Sequence, residues 1–372
     1  MPDPKRIVLL GATGSIGEST LRVIRQHPDA FKLIGIAANR SADALDRIGI
    51  EFGVPERTLF SEEGLEGLIR LATLPEADVV IVATTGTIAV QPTLAALEAG
   101  KTVGLANKET LVFAGQFVMP AARASKGRIL PVDSEHNAIF QCLEGRRDPA
   151  HLKRILLTAS GGPFLHHTQR ELEHVSLKNA LRHPNWDMGT KVTIDSATMA
   201  NKGLEMIEAH WLFDAQPEQI DVVIHPQSII HSMVEFIDGS VIAQMAPPSM
   251  TYPIQHVLAW PGKMAPAHPT MDFSRIHTLE LRPPDLEKFP CLRLAREALA
   301  AGGLATAVYN TANEVAVSAF VDKKIGFLAI PKLIEACLQG ASFGQPSSVV
   351  ELIQLESELL EFSKSKLKDL VT

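Results

Sequence analysis

The sequence predicts an α/β protein in three parts: an N-terminal doubly wound parallel sheet, a central α+β region and a C-terminal bundle of helices. Three observations predict it. Short, near-continuous apolar runs alternate with helical stretches through the first third, the pattern of parallel strands covered on both faces. Two β-rich runs flank Asp238-Gly239 in the middle, a pairing typical of a hairpin. After Cys291 the apolar residues recur only at helical spacing.

In order, Ile7-Val8-Leu9-Leu10 reads as the first strand, and a helix is expected over 15–26. A strand over 32–38 precedes a helix over 43–52, and a strand over 78–83 precedes a helix over 91–99. Runs 101–106 and 128–132 supply further strands, with a helix expected from His136 to Leu143. The middle adds strands over 152–158 and 219–224 and the hairpin 232–236 with 240–244. The proline-rich stretch 260–290 lacks periodicity and reads as a linker. Helices then follow over 292–301, 306–321, 330–338 and 350–370, the last placing Leu352, Leu355, Leu359 and Phe362 on one face. The boundaries expected from this pass are 1–132 for a nucleotide-binding domain, 133–259 for a catalytic domain, 260–290 for the linker and 291–372 for the helical domain.

Bulk properties narrow the function classes. The 372 residues exceed one ordinary domain, and 46% hydrophobic with 21% charged residues is a globular composition. A net charge of -7 without any basic block gives a nucleic-acid partner no electrostatic support. No apolar run approaches a membrane span. The chain enters a strand straight after Met1-Pro2-Asp3-Pro4-Lys5-Arg6, with no room for a signal-peptide core, so a cytoplasmic location is expected. Cys142, Cys291 and Cys337 fit no metal-ligand spacing and are expected to be buried, reduced thiols.

Gly11-Ala12-Thr13-Gly14-Ser15-Ile16-Gly17 lies between the first strand and the first helix. Glycines there permit a tight turn and let the backbone approach a pyrophosphate at the helix N-terminus, as in a Rossmann-like domain. The spacing is G-x-x-G-x-x-G rather than the strict fingerprint, so context carries the reading. The second strand ends Ala38-Asn39-Arg40 with no acid to bind ribose hydroxyls. An arginine there suits a 2′-phosphate and favours NADPH. Gly86, after the strand 78–83, is expected along the same crevice.

Asp133-Ser134-Glu135 follows the strand 128–132. Were the segment extended, Asp133 and Glu135 would project to one side and could share a hard cation such as Mg²⁺ or Mn²⁺. On spacing alone, a helix cap is the simpler reading. The segment 195–205 reads as a capped helix start in which Ser196, Asn201 and Lys202 can hold a phosphate and Glu205 can add a carboxylate. On the residues alone, an ordinary capped amphipathic helix is the favoured reading. Ser160-Gly161-Gly162 suits an anion nest, and Trp186 between loop formers suits a lid or a loop anchor. His225 and His231 lack helical metal-pair spacing and read as structural.

Taken together, seven segments in order resemble the 1-deoxy-D-xylulose 5-phosphate reductoisomerases: 11–17, Leu105-Ala106-Asn107-Lys108-Glu109, 132–135, 159–164, 183–189, 195–205 and 225–234. The resemblance implies reduction and isomerisation of a phosphorylated sugar by NADPH with a divalent cation (Mg²⁺, Mn²⁺ or Co²⁺), in a homodimer. It implies Asp133, Glu135 and Glu205 as metal ligands, and Lys108, Glu135 and His183 as catalytic groups. Ser160, Ser196, Asn201 and Lys202 with His183 are implied for the substrate phosphate, Lys108, Ser134, Glu135 and Glu205 for the sugar end, and Trp186 and Met188 for the lid. Cofactor contacts are implied for Thr13, Gly14, Ser15, Ile16, Ala38, Asn39, Arg40, Thr84, Gly86, Asn107, Glu109, Gly189 and Met250. Two departures stand out. Asp187 replaces an uncharged residue, and Pro248-Ser249-Met250-Thr251 replaces a segment carrying an acid–base pair. The competing readings are another dehydrogenase with the same cofactor loop, which would need no carboxylate cluster, and a non-catalytic NADPH sensor, which would need no lysine beside it.

Overall fold

The computed structural model describes residues 3–144, 149–186, 188–342 and 344–371. It divides into two compact units, one formed by 1–111, 115–141 and 249–272, the other by 112–114, 142–248 and 273–372.

The first unit opens with β1 (Lys5–Leu10), α1 (Ser15–Gln26), β2 (Phe31–Ala38), α2 (Ala42–Glu51), β3 (Glu56–Leu59), α3 (Phe60–Ala72) and β4 (Val79–Val82). It continues through α4 (Val90–Glu98), β5 (Thr102–Leu105), α5 (Glu109–Ala124), β6 (Arg128–Pro131) and α6 (Ser134–Leu143). All six strands are parallel, in the order β3-β2-β1-β4-β5-β6. Chain order reverses between β1 and β4, which opens a crevice at the carboxyl ends of those strands. Ile7, Leu9, Ile36, Ile81 and Val132 are fully buried, as the apolar runs require.

The edge strand β3 and its helix α3 are absent from the sequence reading. Glu-Arg-Thr-Leu is too short and too polar to signal a strand; it forms because β2 offers it an open edge. Its charges are spent in surface pairs, Arg57 with Asp46 at 3.0 Å and Arg70 with Glu56 at 2.7 Å.

The second unit contains β7 (Leu152–Ala159), the short helices α7 (Gln169–Leu172) and α8 (Leu177–Ala180), α9 (Thr190–Thr198), α10 (Ala200–Phe213), β8 (Ile220–Ile224), β9 (Ile230–Phe236) and β10 (Val241–Met245). These strands form a mixed sheet, β10-β9-β7-β8, with β7 and β8 parallel and the other pairs antiparallel. The expected hairpin is present: Gly239 has φ 83°, and Oδ1 of Asp238 accepts the N–H of Ser240 at 2.9 Å. The chain then gives α11 (Thr251–Ala259) to the first unit, where it packs on α1. No helix or strand is found over 260–289, as the proline content predicts.

Helices α12 (Pro290–Ala301), α13 (Ala305–Val321), α14 (Ala329–Gly340) and α15 (Val349–Leu367) complete the second unit, with Leu352 and Leu359 buried on the face read from the sequence. The three cysteines are buried and free. Burial pushes the Cys291 thiol up to about 12, so it stays protonated and inert. Among the described residues, no helix is long and apolar enough to cross a membrane.

Candidate active site

At the carboxyl end of β1 the glycine-rich loop turns into α1. Gly11 sits at φ 93°, and a Cβ there would lie 2.5 Å from the carbonyl oxygen of Ala83. At Gly17 a Cβ would lie 2.4 Å from the carbonyl oxygens of both Gly11 and Ala12. These two glycines close the turn, whereas Thr13, Gly14 and Ser15 are exposed at its tip with no side-chain cap on α1. The free N–H groups of that helix start are therefore open to an anion. Asn39 and Arg40 are exposed just beyond β2, and Thr84 and Gly86 follow β4 on the same edge of the sheet.

Asn107, beyond β5, joins two of these loops. Its Nδ2 donates to the carbonyls of Thr84 at 2.8 Å and Gly86 at 3.0 Å. Its Oδ1 accepts the N–H and hydroxyl of Thr110 at 2.7 and 2.6 Å, capping α5. Two donors and two lone pairs are thereby used. Lys108 begins α5 and directs its ammonium to Asp133 at 2.6 Å.

The β6–α6 turn presents the acidic motif. It is not extended: Ser134 and Glu135 already lie in α6, whose first hydrogen bond runs from the N–H of Asn137 to the carbonyl of Asp133 at 2.8 Å. The helix-start reading is correct, and the two carboxylates still meet because both lie in its first turn, with one oxygen of each within 4.8 Å of the other. Ser134 Oγ donates to Glu135 at 2.5 Å. Burial alone would raise the Asp133 carboxyl; the Lys108 ammonium and His136 more than offset it and hold the group well below the usual carboxylate range. An ionised, oxygen-only pair in a buried turn fits a hard divalent cation.

In the second unit, Ser160 ends β7. Its Oγ accepts the N–H of Gly162 at 3.2 Å and lies 3.0 Å from Nε2 of His183. Nδ1 of His183 accepts the N–H groups of Asn185 at 3.1 Å and Trp186 at 3.0 Å, so the ring proton sits on Nε2 and points to Ser160. Asn185 anchors the loop to the carbonyl of Pro226 and, at 2.8 Å, to Ser228. Trp186 is half-buried with its ring edge-on to His231, Met188 is half-buried, and Gly189 caps α9. Asp187 lies outside the described residues.

The segment 195–205 is not one helix start. It is a break between α9 and α10, made by Met199 at φ 62°. Ser196 ends α9, while Asn201, Lys202 and Glu205 open α10, where both Asn201 and Lys202 donate to the Glu205 carboxylate. A sequence pattern cannot show such a break, because a non-glycine left-handed residue leaves no compositional mark. Asp195, read as a cap, is buried and held by Lys191 at 3.0 Å and Asn313 at 2.8 Å. His225 donates from Nδ1 to the carbonyl of Glu280 and accepts two backbone N–H groups at Nε2, while Nε2 of His231 lies 3.1 Å from the carbonyl of Ala246.

Comparison with known proteins matches three family models: the 1-deoxy-D-xylulose 5-phosphate reductoisomerase model over 7–115 and its two C-terminal domain models over 129–213 and 245–361. A relative from Geobacillus sp. (strain WCH70), a 1-deoxy-D-xylulose 5-phosphate reductoisomerase, is 47% identical over 98% of this chain and 100% of its own length. The chain belongs to the 1-deoxy-D-xylulose 5-phosphate reductoisomerase family.

Other reductoisomerases agree. The protein of Pelodictyon phaeoclathratiforme is 46% identical over 97% of this chain and 99% of its own. A solved reductoisomerase in complex with NADPH, fosmidomycin and magnesium superposes with TM-score 0.91 at 39% identity, covering 98% of both chains. The Zymomonas mobilis enzyme in complex with NADPH gives 0.90 at 40% identity, over 98% of this chain and 99% of that one. At the start of α11 the hydroxyls of Ser249 and Thr251 bond each other at 2.7 Å, beside the partly buried Met250.

Proposed function

We infer that this protein converts 1-deoxy-D-xylulose 5-phosphate to 2-C-methyl-D-erythritol 4-phosphate, using NADPH and a divalent cation. The observation that carries the reading is the partly buried Lys108–Asp133 pair with Glu135 beside it, set in a chain of reductoisomerase family membership. A plain dehydrogenase has no use for that group, and neither has a cofactor sensor.

When bound, the cation polarises the substrate's ketone and neighbouring hydroxyl oxygens, and NADPH supplies the hydride. Asp133, Glu135 and Glu205 are proposed to hold the cation. Lys108 and Ser134 are proposed to orient the sugar hydroxyls, and the Lys108 ammonium to steer the proton of the reacting hydroxyl while the carbon skeleton rearranges to an aldehyde. Ser160, Ser196, Asn201 and Lys202, with the Nε2–H of His183, take the phosphate; binding remote from the reacting carbons helps orient them. Trp186 and Met188 cover the site and exclude water. Thr13 to Ile16 meet the cofactor pyrophosphate and Arg40 with Asn39 the 2′-phosphate. Ala38, Thr84, Gly86, Asn107, Glu109, Gly189 and Met250 complete the cofactor's surroundings.

We propose the domain roles expected from the sequence: cofactor binding by 1–132, catalysis by 133–259, a linker over 260–290 and a helical domain over 291–372. A cytoplasmic homodimer is proposed from the family resemblance. The test is NADPH oxidation on adding 1-deoxy-D-xylulose 5-phosphate with Mg²⁺ or Mn²⁺, repeated with excess chelator and with NADH. Turnover that chelator abolishes and NADH supports poorly is expected. Absence of turnover in a folded, NADPH-binding protein would overturn the reading.

A further inference from the structure

The two carboxylates of the β6–α6 turn are held by a residue that carries no charge. Asn137 is 1% exposed and lies one helical turn beyond Asp133. Its backbone N–H closes the first turn of α6 on the carbonyl of Asp133 at 2.8 Å. Its Nδ2 donates to the carbonyl of Pro131, the last residue of β6, at 2.9 Å. Asn137 therefore grips the turn on both sides of Val132 and Asp133, once from its backbone and once from its side chain.

The same amide reaches α11. Nδ2 lies 3.1 Å from Nδ1 of His256 and 3.5 Å from the carbonyl of Pro253. A carbonyl at Pro131 demands a donor, which fixes the amide orientation, so Nδ1 of His256 is the acceptor. The Oδ1 of Asn137 is taken by Nε2 of Gln141 at 2.9 Å, and Gln141 in turn accepts Lys263 Nζ at 2.9 Å. His256 also packs beside the Phe140 ring, 5.9 Å between centroids. A buried amide satisfied in this way holds one orientation, because every alternative leaves a carbonyl or a ring nitrogen unpaired.

We propose that Asn137 is a positioning residue that sets the Asp133–Glu135 pair for cation binding, using the β6 exit and His256 on α11 as its two fixed points. This deepens the cation reading of those carboxylates and rests on it. Removal of the amide frees the turn to rotate about Val132, which carries both carboxylates together out of their place beside Lys108 while leaving the sheet and the glycine-rich loop in place.

The test is Mn²⁺ binding to the whole enzyme without substrate, followed by electron paramagnetic resonance, with NADPH affinity from fluorescence as the internal control. For Asn137→Ser, Mn²⁺ affinity is expected to fall at least tenfold while NADPH affinity stays within twofold. His256→Leu, which removes the acceptor, should weaken Mn²⁺ in the same sense. His256→Asn, whose Oδ1 replaces Nδ1, should restore it to within threefold of the native value; this pair decides the matter if Asn137→Ser does not fold. Unchanged Mn²⁺ affinity in folded Asn137→Ser, or equal losses for Mn²⁺ and NADPH, would overturn the positioning role alone. A native enzyme that binds no Mn²⁺ would instead overturn the cation reading, and the positioning role with it.

Discussion

Nε2 of His183 lies 3.0 Å from Oγ of Ser160, and the backbone N–H groups of Asn185 and Trp186 occupy the other ring nitrogen. The loop itself therefore selects the tautomer, and His183 faces Ser160 as a hydrogen-bond donor. A base at Nε2 would need the proton moved to Nδ1, against two N–H groups. The pair is suited to hold an anion, so its loss should act on substrate binding. Ser160→Ala is expected to raise the KM for 1-deoxy-D-xylulose 5-phosphate by about tenfold, the scale of one hydrogen bond to a charged group. NADPH affinity should hold. Steady-state kinetics with each substrate varied checks this, and a pure kcat loss would contradict it.

Lys108 should behave differently. Its ammonium touches Asp133 at 2.6 Å, and Lys108→Met removes both the group proposed to steer the proton and a charge that helps keep Asp133 ionised. A fall in kcat of about 10² to 10⁴, the range for general acid–base groups, is expected. The pH–rate profile should change as well. High activity with an unchanged profile would remove Lys108 from the chemistry.

Two glycines of the cofactor loop separate stability from binding. Gly17→Ala drives a Cβ to 2.4 Å from two backbone oxygens that cannot yield, and should cost about 3 kcal/mol, the upper end for overpacking. At Gly14 the nearest atom to a Cβ is 3.5 Å away, so Gly14→Ala should keep its stability and lose NADPH affinity where the backbone would approach the pyrophosphate. Urea denaturation and cofactor titration of both variants distinguish the two roles.

Acid stability has an identifiable contributor on β9. Hydrogen bonds from Lys153 at 2.7 Å and Arg154 at 2.5 Å hold the Glu235 carboxyl below its ordinary value. A group depressed on folding stabilises the native state above its unfolded pKa, and that contribution is lost as pH falls through the native value. The Tm deficit of Glu235→Gln should accordingly be largest near neutrality and shrink between about pH 5 and pH 3. A deficit independent of pH would show that packing, not charge, is responsible.

The apolar runs of β1, β2, β4 and β5 were legible because burial on both faces of a parallel sheet demands continuous hydrophobicity, and the helices after Cys291 because one buried face repeats every 3.6 residues. The glycine-rich loop was legible because only glycine fits at Gly11 and Gly17. The residues proposed for metal and phosphate were not readable from spacing, which favoured a cap at Asp133 and a plain helix at 195–205; the order of seven motifs singled them out by resemblance.

Tertiary structure alone decided the rest. It placed β3 at an open edge, broke the helix at Met199, fixed the tautomer of His183, and gave Asn107 and Asn137 their partners at Thr84, Gly86, Pro131 and His256. A chain's periodicity records which faces are buried, and its glycines record where backbones crowd. Hydrogen-bond partners distant in sequence leave neither trace, because an amide buried against a carbonyl from another element has the same local pattern as one facing water.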